Sequence, residues 1–244
     1  MFMRNSNAIR MNTLMYGKKI KQERHAYLKD GLKNPLLNMH QKNIITTGKE
    51  ITPASKVLIM LHGRGGNAED ILSLSAHLNV KDYALIAPQA TNNTWYPYSF
   101  LAPPTQNEPW LSSALNLVRE IVDDLLNKGV PTQHIYFAGF SQGACLTLEF
   151  VTRNADKYGG VAAFTGGLIG DKIYSGNYKG NFKNTPVFIG SSDPDPHIPV
   201  ERIYATTNIL KGMDAAVTEK IYTNMGHTIN QDEIDLVNKL IFTA

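Results

Sequence analysis

The chain has 244 residues, enough for one domain of ordinary size with a substantial buried core. Hydrophobic residues make up 43% and charged residues 18% of it, which is typical of a globular protein and excludes a disordered one. No run approaches the roughly 18 apolar residues of a membrane span. The single cysteine, Cys145, excludes an internal disulfide and a cysteine-rich metal site. This usage is compatible with the cytoplasm, the location that we expect.

The positive charge is concentrated near the N-terminus. Ten lysines and arginines against three carboxylates give residues 1–50 a charge of +7, so the rest carries −4 of the net +3. We interpret residues 1–50 as a basic, poorly ordered extension and residues 51–244 as one folded domain. The basic residues follow no repeat, so we expect no nucleic-acid partner.

The first residues carry no recognisable targeting signal. A signal peptide needs an apolar core of about 7–15 residues, and no such stretch precedes Val57. Met39 is an alternative start, since the 206 residues from there hold every motif described below.

From Lys56 onward, short apolar runs alternate with segments of helical periodicity. The predicted strands cover residues 57–61, 83–86, 134–140, 161–165, 186–190 and 216–222. The predicted helices cover residues 70–78, 112–126, 143–153, 199–211 and 230–242. This alternation predicts an α/β fold with a mainly parallel sheet that helices cover on both faces. Residues 89–110 contain four prolines and are predicted to be neither helix nor central strand.

A glycine-flanked serine lies where the third predicted strand passes into a helix, in the run Gly139-Phe140-Ser141-Gln142-Gly143. Glycines on both sides let the chain turn sharply and lift the serine above the edge of the sheet. The pattern alone is only moderately specific. Its position between strand and helix favours a nucleophilic serine over an ordinary serine in a turn.

Such a serine needs a base and a third group that orients the base. On this kind of elbow, the acid and then the histidine follow the serine along the chain. His227 comes after the last predicted strand and is the predicted base. His197 is an alternative base, and otherwise a loop residue at the rim. The acid is Asp193 or Asp195, which spacing alone does not distinguish.

Negative charge developing on a substrate carbonyl needs two preorganised N–H donors. The amide of Gln142, directly after the serine, is one candidate. The glycine-rich loop at residues 62–66 follows the first predicted strand, and its Arg64 amide is the other candidate. The loop lacks the spacings of nucleotide-binding motifs. The chemistry requires no metal and no cofactor, and we expect none.

Five segments in this order resemble the phospholipase/carboxylesterase family of α/β-hydrolases, which includes the acyl-protein thioesterases. The matching segments are residues 62–66, 87–90, 139–143, 195–199 and 226–227. The resemblance implies an α/β-hydrolase fold and a serine carboxylesterase that forms an acyl-enzyme on Ser141. Family members carry D-P-x-V/I-P in the fourth segment, which makes Asp195 the acid. Pro194 and the second carboxylate, Asp193, are unusual there.

The resemblance leaves the substrate open. Residues 95–100 look more like the bacterial small-ester hydrolases of the family than like its eukaryotic thioesterases, so a small-molecule ester is expected. Lysophospholipids and protein thioesters are alternatives, and a noncatalytic binding module is an alternative of another class. A homodimer also stays open, because nothing in the sequence establishes the oligomeric state.

Between Thr165 and Pro186 the chain is too short for a helical cap, so residues 89–110 are expected to cover the site. Their aromatic side chains offer apolar area for an acyl or aryl group, with plain core or surface packing as the alternative for each. The candidates are Trp95, Tyr96, Tyr98, Phe100 and Trp110. Cys145, one helical turn past Ser141, is predicted to be buried packing rather than a reactive thiol.

Overall fold

Seven strands form one sheet in residues 39–243, the part of the chain that the computed structural model describes. They are β1 (Ile44–Gly48), β2 (Val57–Leu61), β3 (Ala84–Pro88), β4 (Ile135–Phe140), β5 (Gly160–Phe164), β6 (Pro186–Asp193) and β7 (Ala216–Thr223). Their order across the sheet is β1-β3-β2-β4-β5-β6-β7. β1 is antiparallel to β3, and all other neighbours are parallel.

Helices cover both faces of this sheet. They are α1 (Ala68–Ser73), α2 (Trp110–Asn127), α3 (Gln142–Arg153), α4 (Val200–Gly212) and α5 (Gln231–Leu240). Successive side chains of a strand point to opposite faces. Leu58 and Met60 of β2 accordingly pack with α1 and α5, whereas Ile59 and Leu61 pack with α2, α3 and α4. The predicted α/β-hydrolase-type fold is confirmed.

Two of the central strands, β2 and β5, are buried from end to end. All five residues of β2 have no exposed surface, and the five of β5 are buried as well. Each aliphatic side chain buried in this way contributes about 1.5–3 kcal/mol of transfer free energy. The sheet is therefore a rigid frame, and the loops that follow β4, β6 and β7 meet at the edge formed by the strands' carboxyl ends.

Two helices begin with a full capping box. The Asn67 side chain accepts the Asp70 amide while the Asp70 carboxylate accepts the Asn67 amide, and Asn230 and Glu233 do the same at α5. The predicted helix at residues 70–78 is shorter than expected, because α1 gives way to a 3-10 turn at Leu74–His77. β6 extends three residues further than predicted, to Asp193.

The N-terminal boundary needs a correction. Residues 39–50 belong to the folded unit that starts at Met39, so the prediction of an extension over all of residues 1–50 is wrong for this part. β1 escaped prediction because only its first two residues, Ile44 and Ile45, are half-buried and the other three are exposed. Residues 1–38 lie outside the described residues, and so does the prediction that they are poorly ordered. Within residues 39–243, no helix has the length and apolarity to cross a bilayer.

Candidate active site

Ser141 lies on the sharp turn between β4 and α3, with φ 53° and ψ −118°. A positive φ is costly for a residue with a side chain and persists where the surroundings enforce it. A Cβ at Gly139 would lie 2.5 Å from the Gly143 carbonyl oxygen, and a Cβ at Gly143 would lie 2.1 Å from the Leu61 carbonyl oxygen. The two glycines therefore let β2, β4 and α3 approach closely enough to form the turn.

His227 lies on the loop between β7 and α5, directly after Gly226 with φ 79°. Its Nε2 is 2.8 Å from the Ser141 hydroxyl oxygen. The rings of Phe140 and His197 pack against the imidazole at centroid distances of 5.3 and 4.9 Å. The ring is thus held between two others, with its Nε2 directed at Ser141.

Asp195 lies in the loop after β6 and contacts the other side of the same imidazole. Its Oδ2 is 2.9 Å from His227 Nδ1. Its Oδ1 accepts the amides of His197 and Ile198 at 2.7 and 2.9 Å, and the side chain is fully buried. Two backbone donors hold one carboxylate oxygen, so the other is left in a fixed position for the imidazole.

The structure separates the candidates that spacing left open. Asp193 ends β6 and is exposed, and its carbonyl accepts the Asn224 amide at 3.0 Å. Asp195, rather than Asp193, bonds to His227. His197 is exposed at the rim of the cleft, and it is His227 that contacts Ser141. The geometry therefore agrees with the acid that the family resemblance implies.

Ser192 connects the acid loop with the base loop, a contact that the sequence did not reveal. Its hydroxyl accepts the Gly226 amide at 2.9 Å and donates to the Pro194 carbonyl at 3.1 Å. The residue has no exposed surface. The bond fixes the residue before His227 relative to the residue before Asp195. A lone serine after a strand carries no sequence signal for such a role.

Arg64 and Gln142 flank Ser141, and their side chains are engaged elsewhere. The Arg64 guanidinium donates to the carbonyls of Tyr96, Pro97 and Tyr98 at 2.7–3.0 Å. The Gln142 amide side chain donates to the Tyr96 carbonyl at 2.8 Å and accepts the Trp95 amide at 2.9 Å. Both side chains hold the loop at residues 94–98.

The backbone amides of these two residues are placed differently from their side chains. Gln142 is the first residue of α3, so its N–H has no intrahelical acceptor. The loop carrying Arg64 lies over the turn, since a Cβ on Gly63 would be 3.5 Å from the Ser141 Cβ. The Gln142 amide thus adjoins the serine without an intrahelical partner, and the loop that carries Arg64 passes beside it.

A cleft of about 640 Å³ opens at Ser141. Three of the predicted aromatic residues line it, and two do not. Those that line it are Tyr96, Tyr98 and Phe100. Cys145 lies in the same wall, where burial raises the pKa of its thiol to about 12, in agreement with a packing role.

Trp95 and Trp110 must be removed from the predicted substrate contacts. Trp95 is fully buried in the core, and its indole N–H donates to the His62 carbonyl at 2.8 Å. Trp110 begins α2 and packs edge-on against His40 at 5.3 Å. The sequence showed an aromatic segment but not which rings turn inward, because the segment has no regular period.

Two buried histidines hold the start of this segment. His40 Nδ1 accepts the Thr91 amide at 3.1 Å, and its Nε2 lies 2.9 Å from the Trp95 carbonyl. His62 Nε2 accepts the Ala90 amide at 3.1 Å. Burial lowers the pKa of both imidazoles. They remain neutral, since a protonated ring could not accept these amides.

Residues 42–244 match the Phospholipase/Carboxylesterase family, so the chain belongs to that family. The expected relationship to the α/β-hydrolases of this family is therefore confirmed. The family and its thioesterase and carboxylesterase relatives support an ester hydrolase.

Individual relatives agree with this assignment. The chain is 56% identical to the crystal structure of a phospholipase/carboxylesterase from Dyadobacter fermentans, over 84% of this chain and 98% of that one, with a TM-score of 0.82. It is 25% identical to acyl-protein thioesterase 1 of Saccharomyces cerevisiae, over 79% of this chain and 94% of that protein. It is 30% identical to acyl-protein thioesterase 1 of Gibberella zeae, but the match spans about half of each protein (52% and 53%).

Proposed function

We propose that this protein is a serine carboxylesterase in which Ser141 is the nucleophile, His227 the base and Asp195 the acid. The observation that carries the proposal is the continuous chain of contacts from Ser141 Oγ through the imidazole to the Asp195 carboxylate, at 2.8 and 2.9 Å. The strained turn at Ser141 also supports it, because such backbone conformations concentrate at functional sites.

Acylation begins when Ser141 Oγ attacks the carbonyl carbon of an ester. His227 Nε2 takes the hydroxyl proton, and Asp195 keeps Nδ1 protonated and stabilises the imidazolium. The amides of Arg64 and Gln142 donate to the oxyanion of the tetrahedral intermediate. The intermediate then collapses: the bond to the leaving oxygen breaks, His227 returns the proton to that oxygen, and the alcohol departs.

Deacylation repeats these steps with water. His227 removes a proton from water, the hydroxide attacks the acyl carbon, and the proton returns to Ser141 Oγ as the carboxylic acid leaves. The buried Asp195 serves both halves of the cycle without a change in its own protonation.

A small-molecule carboxylic ester fits the cleft best, since its volume of about 640 Å³ lies within the usual range for small-ligand sites. Hydrolysis of lysophospholipids or of protein thioesters is the second candidate, which the acyl-protein thioesterases among the relatives favour. A preference for short over long acyl chains would distinguish the first candidate from the second. A noncatalytic binding protein would hydrolyse neither short-chain nor long-chain esters.

Replacing the nucleophile tests the proposal. Ser141→Ala should lower kcat for p-nitrophenyl butyrate by about 10⁴–10⁶-fold, because the covalent route is lost. Ser112→Ala, on the exposed side of α2, is the matched control and should keep full activity. A fluorophosphonate should add its mass to the wild type and to Ser112→Ala but not to Ser141→Ala. Retained turnover or labelling of Ser141→Ala would overturn the assignment.

A further inference from the structure

The loops that carry the acid and the base leave the sheet side by side, after β6 and β7. Asp193 at the end of β6 pairs with Thr223 at the end of β7, and the Asn224 amide then donates to the Asp193 carbonyl at 3.0 Å. Asp195 lies two residues beyond Asp193, and His227 lies three residues beyond Asn224. The pairing of the two strands therefore ends before the catalytic pair, and further contacts have to hold the two loops together.

The Ser192 hydroxyl makes such a contact with both loops at once. It accepts the Gly226 amide at 2.9 Å and donates to the Pro194 carbonyl at 3.1 Å. A hydroxyl group has one proton to donate, so the bond to Pro194 uses its donor capacity completely. The residue has no exposed surface, so bulk water does not compete with either partner.

On the acid side, the bond from Ser192 holds the peptide unit that precedes Asp195. Proline has no N–H, so its carbonyl is the one backbone group of Pro194 that forms hydrogen bonds. This carbonyl lies in the same planar peptide unit as the Asp195 nitrogen. A fixed Pro194 carbonyl therefore fixes the plane from which the Asp195 side chain starts.

On the base side, the bond to Ser192 holds a residue with unusual backbone freedom. Gly226 has φ 79°, in the left-handed region that glycine enters and leaves at little cost. Its amide is bonded to Ser192, and its carbonyl accepts the Thr228 amide at 3.1 Å across His227. Both hydrogen-bonding groups of Gly226 are thus engaged, and His227 lies in the tight turn that they define.

We propose that Ser192 is a positioning residue of the active site, whose hydroxyl sets the distance and direction between the Asp195 carboxylate and the His227 imidazole. The supporting observation is a closed ring of contacts, from Ser192 to Gly226, from His227 to Asp195 and from Pro194 back to Ser192. Without the hydroxyl, the base loop is free to rotate about Gly226. This inference rests on the proposed function and adds to it the residue that aligns the acid with the base.

Removal of the hydroxyl tests the proposal. Ser192→Ala should lower kcat for p-nitrophenyl butyrate by about 10–100-fold and change KM by less than about 2-fold, because small displacements of catalytic groups have effects of this size. Ser191→Ala is the matched control on the same strand. Ser191 also has no exposed surface, and its hydroxyl has no hydrogen-bond partner within residues 39–243, so this variant should keep the kcat of the wild type. Thermal unfolding establishes that both variants are folded at the assay temperature.

Labelling with a fluorophosphonate separates loss of positioning from partial unfolding. The reaction of the probe with Ser141 also needs the base, so Ser192→Ala should lower the rate constant of labelling by a factor similar to that for kcat. The final mass shift should still correspond to one probe per chain. Labelling of only a fraction of the protein, at the rate of the wild type, would show partial unfolding and overturn the positioning role.

Replacement of the acid as well tests whether Ser192 acts through Asp195. In the Asp195→Asn background, Ser192→Ala should lower the rate constant of labelling by less than about 3-fold, because the contact that Ser192 positions is already lost. A loss as large as that in the wild-type background would overturn the proposal, and so would a wild-type kcat in Ser192→Ala. Labelling of Ser141→Ala, or no labelling of the wild type, would instead contradict the proposed function itself.

Discussion

Two aspartates in one loop differ in almost every physical respect. Asp195 is buried, accepts two amides and contacts His227, whereas Asp193 is exposed at the end of β6. A carboxylate that orients an imidazole must be held rigidly, because its role is to fix the tautomer of the ring and to stabilise the imidazolium. Only Asp195 is held in this way.

We therefore expect Asp195→Asn to lower kcat for p-nitrophenyl butyrate by about 10³–10⁴-fold, because the amide favours the wrong tautomer of His227. Asp193→Asn removes a neighbouring, exposed charge and is the matched control, with a loss of less than about 3-fold. Steady-state kinetics of both variants at pH 8 provide the comparison. If Asp193→Asn had the larger effect, the acid would have to be reassigned to Asp193.

At the scale of residues, the order of residues along the chain carries most of the information about the candidate site. The elbow predicted Ser141 as the nucleophile, its order before His227 predicted the base, and these two side chains contact each other in the structure. Spacing could not choose between Asp193 and Asp195, because burial and amide contacts decide between them. It also misplaced Trp95 and Trp110, since an indole that donates to a backbone carbonyl looks like any other aromatic residue in the sequence.

At the scale of secondary-structure elements, the buried strands were predictable from the sequence and the edge strand β1 was not. β2 was predicted to the residue, because a continuous apolar run is what a strand buried on both faces requires. β1 is an edge strand with three exposed residues, so its sequence resembles the polar segment around it. Pairing of β1 with β3 attaches this part of the chain to the sheet, and His40 adds buried contacts to the Thr91 amide and the Trp95 carbonyl that have no sequence signal.

His40 joins residues at the start of the domain to the loop that forms the cleft wall. Its two ring nitrogens contact the Thr91 amide and the Trp95 carbonyl. We expect His40→Leu to lower the free energy of unfolding at pH 7.5 by about 2–4 kcal/mol, since both partners lose a buried hydrogen bond. His77→Leu changes an exposed imidazole and should stay within about 0.5 kcal/mol of the wild type.

The difference in the free energy of unfolding between the wild type and His40→Leu should depend on pH in one direction. Burial lowers the pKa of His40 below its ordinary 6.5. Below pH 6.5 the unfolded chain therefore binds a proton at this residue more readily than the folded protein does. The stabilisation is complete above pH 6.5 and declines as the pH falls. Urea unfolding at pH 7.5 and 5.5 should show the gap between wild type and His40→Leu narrowing in acid. A gap that is constant or widens would contradict the neutral, accepting role of this ring.

At the scale of the whole molecule, the rigid sheet is joined to the active-site loops through α5. Glu233, in the first turn of this helix, accepts the Asn230 amide through Oε2 at 2.9 Å. Its Oε1 packs against β6, where a Cβ on Gly190 would lie 2.0 Å from it. No hydrogen-bond donor within residues 39–243 reaches this oxygen, and burial raises the pKa of Glu233 to about 7.

This buried carboxyl group makes the folded state sensitive to alkali. Its folded pKa of about 7 lies above the ordinary 4.5, so between these values the folded protein keeps a proton that the unfolded chain releases. Stability from this group is therefore complete below pH 4.5 and is lost as the pH rises through 7.

Glu233→Gln keeps an acceptor for the Asn230 amide and removes the ionisation. We expect it to raise the free energy of unfolding by about 1–3 kcal/mol at pH 8 and by much less at pH 5. Asp235→Asn, exposed on the same helix, should show no such pH trend. Thermal unfolding of the three proteins across this range makes the comparison, and an equal shift at both pH values would mean that Glu233 is ionised throughout.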